Sequence, residues 1–312
     1  MTETVFADWR PEDSARWGRQ STCLPHTLHR HPLLQRDALA QLIDRCPRQH
    51  YALVQTSGSG HAQRRWREGD IAGVAGTRVI QAIEGGSLWL NLRDVGQVDP
   101  RYADLLQRIY DELSDRVPGF APRSLKMGIL ISSPGARVHY HCDLPGQTLW
   151  QIAGRKRVYL YPAEPPFLEA QALENIAYSG FEFKLRYDPA YDASAQVFEL
   201  EPGHMLNWPL NSPHRVENHD ELNISFTSEH WTETNRRSQH VHLANAVLRH
   251  RLGWNARSHA VSGPAYWAKA ALQAAWRRSA WSARTQSAER PIEFRLDASE
   301  PGACVDLPSL RP

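Results

Sequence analysis

The chain has 312 residues, 36 Lys plus Arg against 34 Asp plus Glu, and 41% hydrophobic residues, a composition that suits one large globular domain or two small ones. The near balance of charge excludes the global positive field of a nucleic-acid coat and leaves only local patches. The first twenty residues carry Asp8, Arg10, Glu12, Asp13 and Arg16 with no apolar run, no later stretch is long enough to span a bilayer, and the cysteines at 23, 46, 142 and 304 form no close pair; a reducing, cytoplasmic setting without membrane contact is expected.

Residues 34–45 repeat apolar side chains at helical spacing, and 51–55 reads as a short strand. A second strand signal at 87–92 precedes a helix near 101–113, where Tyr102, Leu105, Leu106, Ile109, Tyr110 and Leu113 recur at three- and four-residue steps. These elements predict an α/β lead-in, residues 1–124, packed on a barrel built from the strands after residue 124. His26, His29 and His31 cluster near its start, but without paired cysteines or a clear fourth ligand they make a poor zinc site.

From residue 125 the texture changes to short strands separated by turn residues, at 125–132, 138–142, 149–152, 157–161, 196–200, 204–207, 215–218 and 223–228. Eight strands suit a double-stranded β-helix, a jelly roll that encloses a ligand cavity. The interval 163–195, rich in aromatics and proline, interrupts the strands either as a lid or as packing. Past residue 232 the pattern is helical. Val241, Ala244, Val247, Leu248 and Leu252 form an apolar stripe that stops at Gly253, and Ser262-Gly-Pro264 opens a second helix carrying Trp267, Leu272 and Trp276 beside Lys269, Arg277 and Arg278. The expected fold is mainly β with flanking helices, divided as 1–124, a jelly-roll core at 125–232, and a helical region with a tail at 233–312.

The chemistry concentrates in His141-x-Asp143 and in His214, seventy-one positions after Asp143. Successive strand side chains alternate, so residues 141 and 143 project into one interior while Cys142 points away. Two imidazoles and one carboxylate are the set with which a β-barrel holds a ferrous ion on one face and leaves the opposite face open. Spacing alone leaves the assignment contestable, because the same alternation puts His139 on the face of His141. Along 155–161, Lys156 shares a face with Val158 and Leu160, where an unpaired ammonium is costly. That lysine needs an anionic partner.

The run His141-Cys-Asp-Leu-Pro-Gly-Gln-Thr-Leu-Trp-Gln-Ile-Ala-Gly-Arg-Lys-Arg-Val-Tyr-Leu-Tyr-Pro162 resembles the signature of the JmjC-type, cupin-like 2-oxoglutarate oxygenases. The resemblance covers roughly residues 125–232, about a third of the chain, with motifs in order. It implies a double-stranded β-helix, Fe(II) held by His141, Asp143 and His214, and 2-oxoglutarate as cosubstrate with its distal carboxylate on Lys156. Gln147 stands where relatives often carry an Asn that touches the cosubstrate, Val138 where some carry a Thr, and His204 where an acidic residue is usual after the turn glycine. Asn223, Ser225 and Thr227 share a polar face of 223–228 that lines the same pocket or faces out as an ordinary strand. His139, Trp150 and Gln151 are candidates for supporting positions or the substrate pocket.

The resemblance implies an Fe(II)- and 2-oxoglutarate-dependent dioxygenase that hydroxylates a C–H bond, first of all on a protein or peptide side chain, with release of succinate and CO2. Demethylation fits the same site, a small-molecule substrate remains open, and related hydroxylases often dimerise through C-terminal helices. The competing classes are a metal-dependent cupin isomerase or hydrolase that does not use 2-oxoglutarate, and a non-catalytic jelly-roll module binding peptide or nucleic acid. Lys156 speaks against the first and the complete ligand set against the second.

Overall fold

A computed structural model describes residues 4–57, 65–71, 73–180, 185–285, 291–297 and 304–308. Helix α1 (Pro11–Arg16) begins on a proline, whose missing N–H is one that a first turn leaves unpaired anyway. It leads through strand β1 (Thr22–Pro25) and a pair of short 3-10 turns to α2 (Arg36–Arg45), which buries Leu39, Ala40, Leu42 and Ile43. Strands β2 (Tyr51–Ser57) and β3 (Arg65–Asp70) come next, then α3 (Gly76–Gly85). Gly76 is where α3 crosses α2: a Cβ there would lie 2.1 Å from the Ala40 carbonyl oxygen, so only glycine permits the approach.

After β4 (Leu88–Leu92), α4 (Pro100–Arg116) starts at Asp99, whose carboxylate accepts from the Arg101 N–H. Its buried residues are Tyr102, Leu105, Leu106, Ile109, Tyr110 and Leu113, the stripe expected from the spacing. Each large apolar side chain so buried contributes about 1.5–3 kcal/mol, which holds α4 on the sheet against its loss of chain entropy.

The eight expected strands are present as β5 (Arg123–Ser132), β6 (Arg137–His141), β7 (Gly146–Ala153), β8 (Lys156–Leu160), β9 (Gln196–Leu200), β10 (His204–Asn207), β11 (His214–Asn218) and β12 (Asn223–Trp231), with helix α5 (Ala170–Ser179) between β8 and β9. They sort into two antiparallel sets, β10-β7-β12-β5 and β6-β11-β8-β9. Leu149, Val158, Leu160, Leu200, Leu206, Trp208 and Val216 pack together between the sets. This is the cupin-like jelly roll, built as two facing sheets that are not hydrogen-bonded into a closed barrel. Gly154 makes the β7–β8 turn possible, with φ of +72° and a Cβ position 2.3 Å from the Leu222 carbonyl oxygen.

The larger sheet takes in strands from both ends of the chain. Its full order is β1-β10-β7-β12-β5-β4-β2-β3-β13-β14, where β13 (Ile292–Leu296) and β14 (Cys304–Asp306) come from the C-terminal end. The lead-in therefore extends the sheet of the core as well as packing on it. Strands β1, β3 and β14 lack a sequence signature: Arg65–Asp70 is largely charged and contains Gly69, over which the Phe294 ring packs. Strand β13, Ile-Glu-Phe-Arg-Leu, carries the alternation of a strand, which the expected elements do not include.

The remaining helices are α6 (Glu233–Leu252), α7 (Gly263–Arg278) and α8 (Ala280–Thr285). Thr232 and Asn235 form a capping box at the start of α6, and Gly253 ends it at φ +64°. Val241, Ala244, Val247 and Leu248 are buried as the stripe predicts, but Leu252 is 69% and Trp267 63% exposed. Lys269 is buried instead, its ammonium donating to the Ser258 carbonyl. No helix among the described residues is long and apolar enough to cross a membrane.

The interval 163–195 lies, as far as it is described, against the outer side of the smaller sheet. Tyr140, Tyr161, Phe167, Tyr187 and Tyr191 form a contiguous ring cluster there. Asp192 accepts from Tyr161 Oη (2.5 Å), Tyr187 Oη (2.8 Å) and Arg215 Nη2 (2.7 Å). Of the two expectations for this interval, packing describes these residues; 181–184 lie outside the described ones.

Candidate metal centre

His141 closes β6 and His214 opens β11, and the two are register partners across the antiparallel pair. Asp143 comes two residues after the end of β6. One ligand atom from each of the three lies within 4.8 Å of the others, and all three side chains are buried. The imidazoles stand with centroids 4.1 Å apart, and His214 Nε2 is 3.4 Å from Asp143 Oδ2.

Backbone carbonyls orient both rings. His141 Nδ1 donates to the His139 carbonyl at 2.7 Å and His214 Nδ1 to the Ser212 carbonyl at 3.1 Å. With its proton fixed on Nδ1, each imidazole presents a lone pair at Nε2, the form that binds a metal. Trp208 packs on His214 with centroids 4.8 Å apart. Asn211, held in the left-handed region at φ +63°, donates from Nδ2 to the Asp143 carbonyl at 2.5 Å and fixes the segment after β6.

The electrostatics of the cluster call for a cation. Asp143 Oδ2 is buried and accepts no hydrogen bond from the described residues. Burial pushes the Asp143 carboxyl well above the usual carboxylate range, and burial pulls His214 down to about 4, opposed by its bond to Ser212. A buried carboxylate beside two neutral imidazoles carries negative charge without compensation, and a divalent cation at the converging atoms supplies it. The residues present fit Fe(II), with sides left for further ligands.

His139 does not join the cluster as a ligand. The register slips between His214–His141 and Val216–Val138, so residues 139 and 140 together oppose Arg215 and the alternation that would align His139 with His141 is broken. What His139 supplies is the carbonyl that orients His141. Cys142 points away from the site, as expected, and is buried against Leu168, Leu173 and Ile176.

Lys156 lies on the inner face of β8 with Val158 and Leu160, and Leu160 is the register partner of His214. Its ammonium donates to Ser225 Oγ at 2.9 Å, and burial lowers its pKa to about 7. Among the described residues it has no acidic partner. Asn223 and Gln151 stand nearby in the sheet but are used structurally. Gln151 Nε2 donates to Asn223 Oδ1 (2.8 Å) and to the carbonyls of Ala153 and Gly154, while Asn223 Nδ2 donates to the Arg155 and Glu221 carbonyls. The pair locks the β7–β8 turn.

Trp150 does not face the cavity. Its indole is fully buried on the other side of the sheet, stacked on Phe226 and donating to Ser228 Oγ at 2.9 Å. Strand alternation, which sends 149 and 151 inward, sends 150 outward. Thr227 is half-buried on the face of Ser225. Gln147 stands opposite Glu229, with Nε2 3.4 Å from Oε1. Glu229 has no place among the sequence candidates, although the alternation through 223, 225 and 227 points to it. Burial, then the Asp143 charge, raises its carboxyl to about 7. The other missed residue, Asn211, sits in a loop with no spacing rule to reveal it. His26, His29 and His31 organise turns: His31 Nδ1 accepts from the Leu33 N–H, His26 Nδ1 from the Leu28 N–H.

Comparison with solved structures places the chain among cupin-like folds. Among the matches are structures of E. coli YcfD. One aligns at 17% identity over 91% of this chain and 72% of that one, with a TM-score of 0.53. Another, described as a ribosomal oxygenase in complex with cobalt and 2-oxoglutarate, aligns at 17% identity over 94% and 74%, with a TM-score of 0.52. At this identity the likeness establishes a shared fold. No family model matches the sequence, and no curated protein does.

Proposed function

We propose that the chain is a JmjC-type, cupin-like oxygenase that uses Fe(II), 2-oxoglutarate and dioxygen to hydroxylate a C–H bond of a protein or peptide side chain. The observation that carries this reading is the buried Lys156 ammonium, bonded among the described residues only to a serine hydroxyl inside the same jelly roll as the three converging metal-binding side chains. A metal-dependent cupin acting without 2-oxoglutarate has no use for that cation. The E. coli protein of the same fold, solved with cobalt and 2-oxoglutarate and described as a ribosomal oxygenase, supports the cosubstrate and a proteinaceous substrate.

In this reading His141, Asp143 and His214 hold the iron, which supplies the oxidative decarboxylation of 2-oxoglutarate and the activation of dioxygen. The chain's own residues position and exclude. Lys156 and Ser225 anchor the distal carboxylate, and Asn223 with Gln151 hold the turn that carries Lys156. Trp208, Leu149, Leu160 and Val216 keep the interior apolar, which strengthens every charge interaction inside it. Thr227 and Glu229, on the face of Ser225, and Gln147, opposite Glu229, are proposed to line the same pocket. A peptide library scanned by mass spectrometry for an added oxygen, in step with succinate release, tests the reading. Succinate formation that no protein or peptide stimulates would turn it toward a small-molecule substrate.

We propose the division 1–124, 125–232 and 233–312 as a functional one, with the middle segment carrying the chemistry. The C-terminal helices are the proposed dimer face: Leu252, Trp254, Trp267 and Trp281 are all more than half exposed there. Sedimentation of wild type against Trp254→Ser with Trp267→Ser tests it. Four free cysteines suit a cytoplasmic setting.

A further inference from the structure

We propose a second metal site, outside the jelly roll, in which Glu174 of α5, His242 of α6 and His259 of the segment joining α6 to α7 hold a zinc-class divalent ion. One ligand atom from each of these three side chains lies within 4.8 Å of the others. The cluster is independent of the iron site and joins three separate pieces of the helical cap.

Two features mark it as more than a hydrogen-bond network. The first is the donor set: two imidazoles and one carboxylate are a zinc ligand set, with water free to complete a tetrahedron. The second is His242, only 8% exposed, whose Nδ1 is buried without a hydrogen-bond partner among the described residues. An imidazole nitrogen taken out of water and given nothing in return is costly, and a metal bond or a bond to a metal's water relieves it. Burial holds this ring neutral at physiological pH, with a pKa near 4, which is the protonation state a ligand needs.

The surroundings suit a ligand carboxylate. Glu174 is 1% exposed, and Arg249 binds its Oε2 while Asn245 Nδ2 donates to Oε1 at 3.0 Å. Outer partners of this kind fix the orientation of metal-ligating carboxylates. His259 Nε2 is 3.1 Å from Glu174 Oε1. His259 is also the exposed member, which gives the ion its path of entry.

Two cations border the site, Arg249 on the carboxylate and Lys269, which donates to the Ser258 carbonyl. Their repulsion makes the site weaker than a cysteine-rich zinc site. What the ion would do is mechanical. It ties α5, which leads into the segment covering the smaller sheet, to α6 and to the entry of α7.

The test uses the full chain carrying His141→Ala, Asp143→Ala and His214→Ala, so that the jelly-roll site binds nothing. Equilibrium dialysis against zinc chloride should leave about one equivalent bound, and Co(II) in its place should give the intense visible bands of a tetrahedral ion. Adding His259→Gln, a change at an exposed position, should abolish both, together with the rise in Tm that zinc produces. No stoichiometric zinc in the first protein, or zinc undiminished by His259→Gln, overturns the proposal and leaves an ordinary hydrogen-bond network. If the triple variant does not fold, wild type is compared with His259→Gln alone: loss of about one of two equivalents supports the site, and equal stoichiometry overturns it.

Discussion

Lys156 donates its buried ammonium to Ser225 Oγ across 2.9 Å, and no carboxylate of the described chain pairs with either residue. A lysine on the inner face of a jelly roll is expensive to keep unless its charge is used. Ser225 supplies one weak acceptor where an ammonium can donate three bonds. The remaining capacity fits the carboxylate of an incoming diacid.

Lys156→Ala should weaken 2-oxoglutarate binding about 10- to 100-fold, the loss of a charge-assisted hydrogen bond of roughly 1.5–3 kcal/mol. Metal affinity should change by less than about threefold, since the three ligands are untouched. Calorimetric titrations with Mn(II) and then with 2-oxoglutarate separate the two. Equal loss of both would remove Lys156 from its assigned role.

The same lysine gives the cosubstrate a pH dependence. Burial lowers its pKa to about 7, so in the free protein the ammonium is intact below that value and lost above it. A bound carboxylate favours the charged form, so binding takes up a proton as the pH rises. The 2-oxoglutarate Kd should therefore rise up to about tenfold per pH unit above roughly pH 7, with the metal saturating throughout. A flat Kd between about pH 7 and 9 would mean that Lys156 does not face the ligand.

Asp143 sets the stability of the metal-free protein. Its folded pKa is raised, so the protonated form is favoured and its stabilising effect is complete below the unfolded value of 3.8 and lost as pH rises through the folded one. Asp143→Asn removes that cost. The metal-free variant should melt a few degrees above metal-free wild type at about pH 8 and near it at about pH 4. Added Fe(II) or Mn(II) should raise the Tm of wild type by clearly more than that of the variant.

Asp192→Ala tests the packing of the 163–195 interval. Arg215 is 4% exposed and its guanidinium lies over the Tyr159 ring at 3.3 Å, so losing Asp192 strips a buried cation of one carboxylate while Glu217 remains. A destabilisation of about 1–3 kcal/mol is expected, read from denaturant midpoints, with metal affinity unchanged. A large loss of metal affinity at unchanged stability would assign this segment a direct part in the site.

The eight strands of the jelly roll and the face of α4 are legible because each rests on a short-range period, whereas the triad is legible through the family resemblance: His214 is far along the chain, and Asp143 lies just past the end of β6. Strand alternation places Lys156 beside Val158, and helical spacing places Ile109 beside Tyr102, without knowledge of the rest of the chain. Where the period breaks, the sequence misleads. The one-residue slip in β6 moves His139 out of line with His141, and no residue type announces it. Trp150 is a candidate by proximity to the motif, yet the alternation that recommends Gln151 sends it to the opposite side of the sheet. Strands β3 and β13 pair across most of the length of the chain, held by Phe294 over Gly69; the charged sequence of β3 carries no strand signal, while the short alternation of β13 does not say which strand it joins. Asn211 and the second cluster at Glu174, His242 and His259 depend on loops and helix packing that spacing rules do not reach.

The central claim is that His141, Asp143, His214 and Lys156 form one site for Fe(II) and 2-oxoglutarate. Anaerobic addition of both to the metal-free protein, with visible absorption as the readout, tests it most directly. The account predicts the charge-transfer band of an iron-chelated keto acid in wild type, its absence after His141→Ala with Asp143→Ala, and a requirement for more 2-oxoglutarate after Lys156→Ala. No band in wild type, or a band that survives loss of both His141 and Asp143, would contradict it.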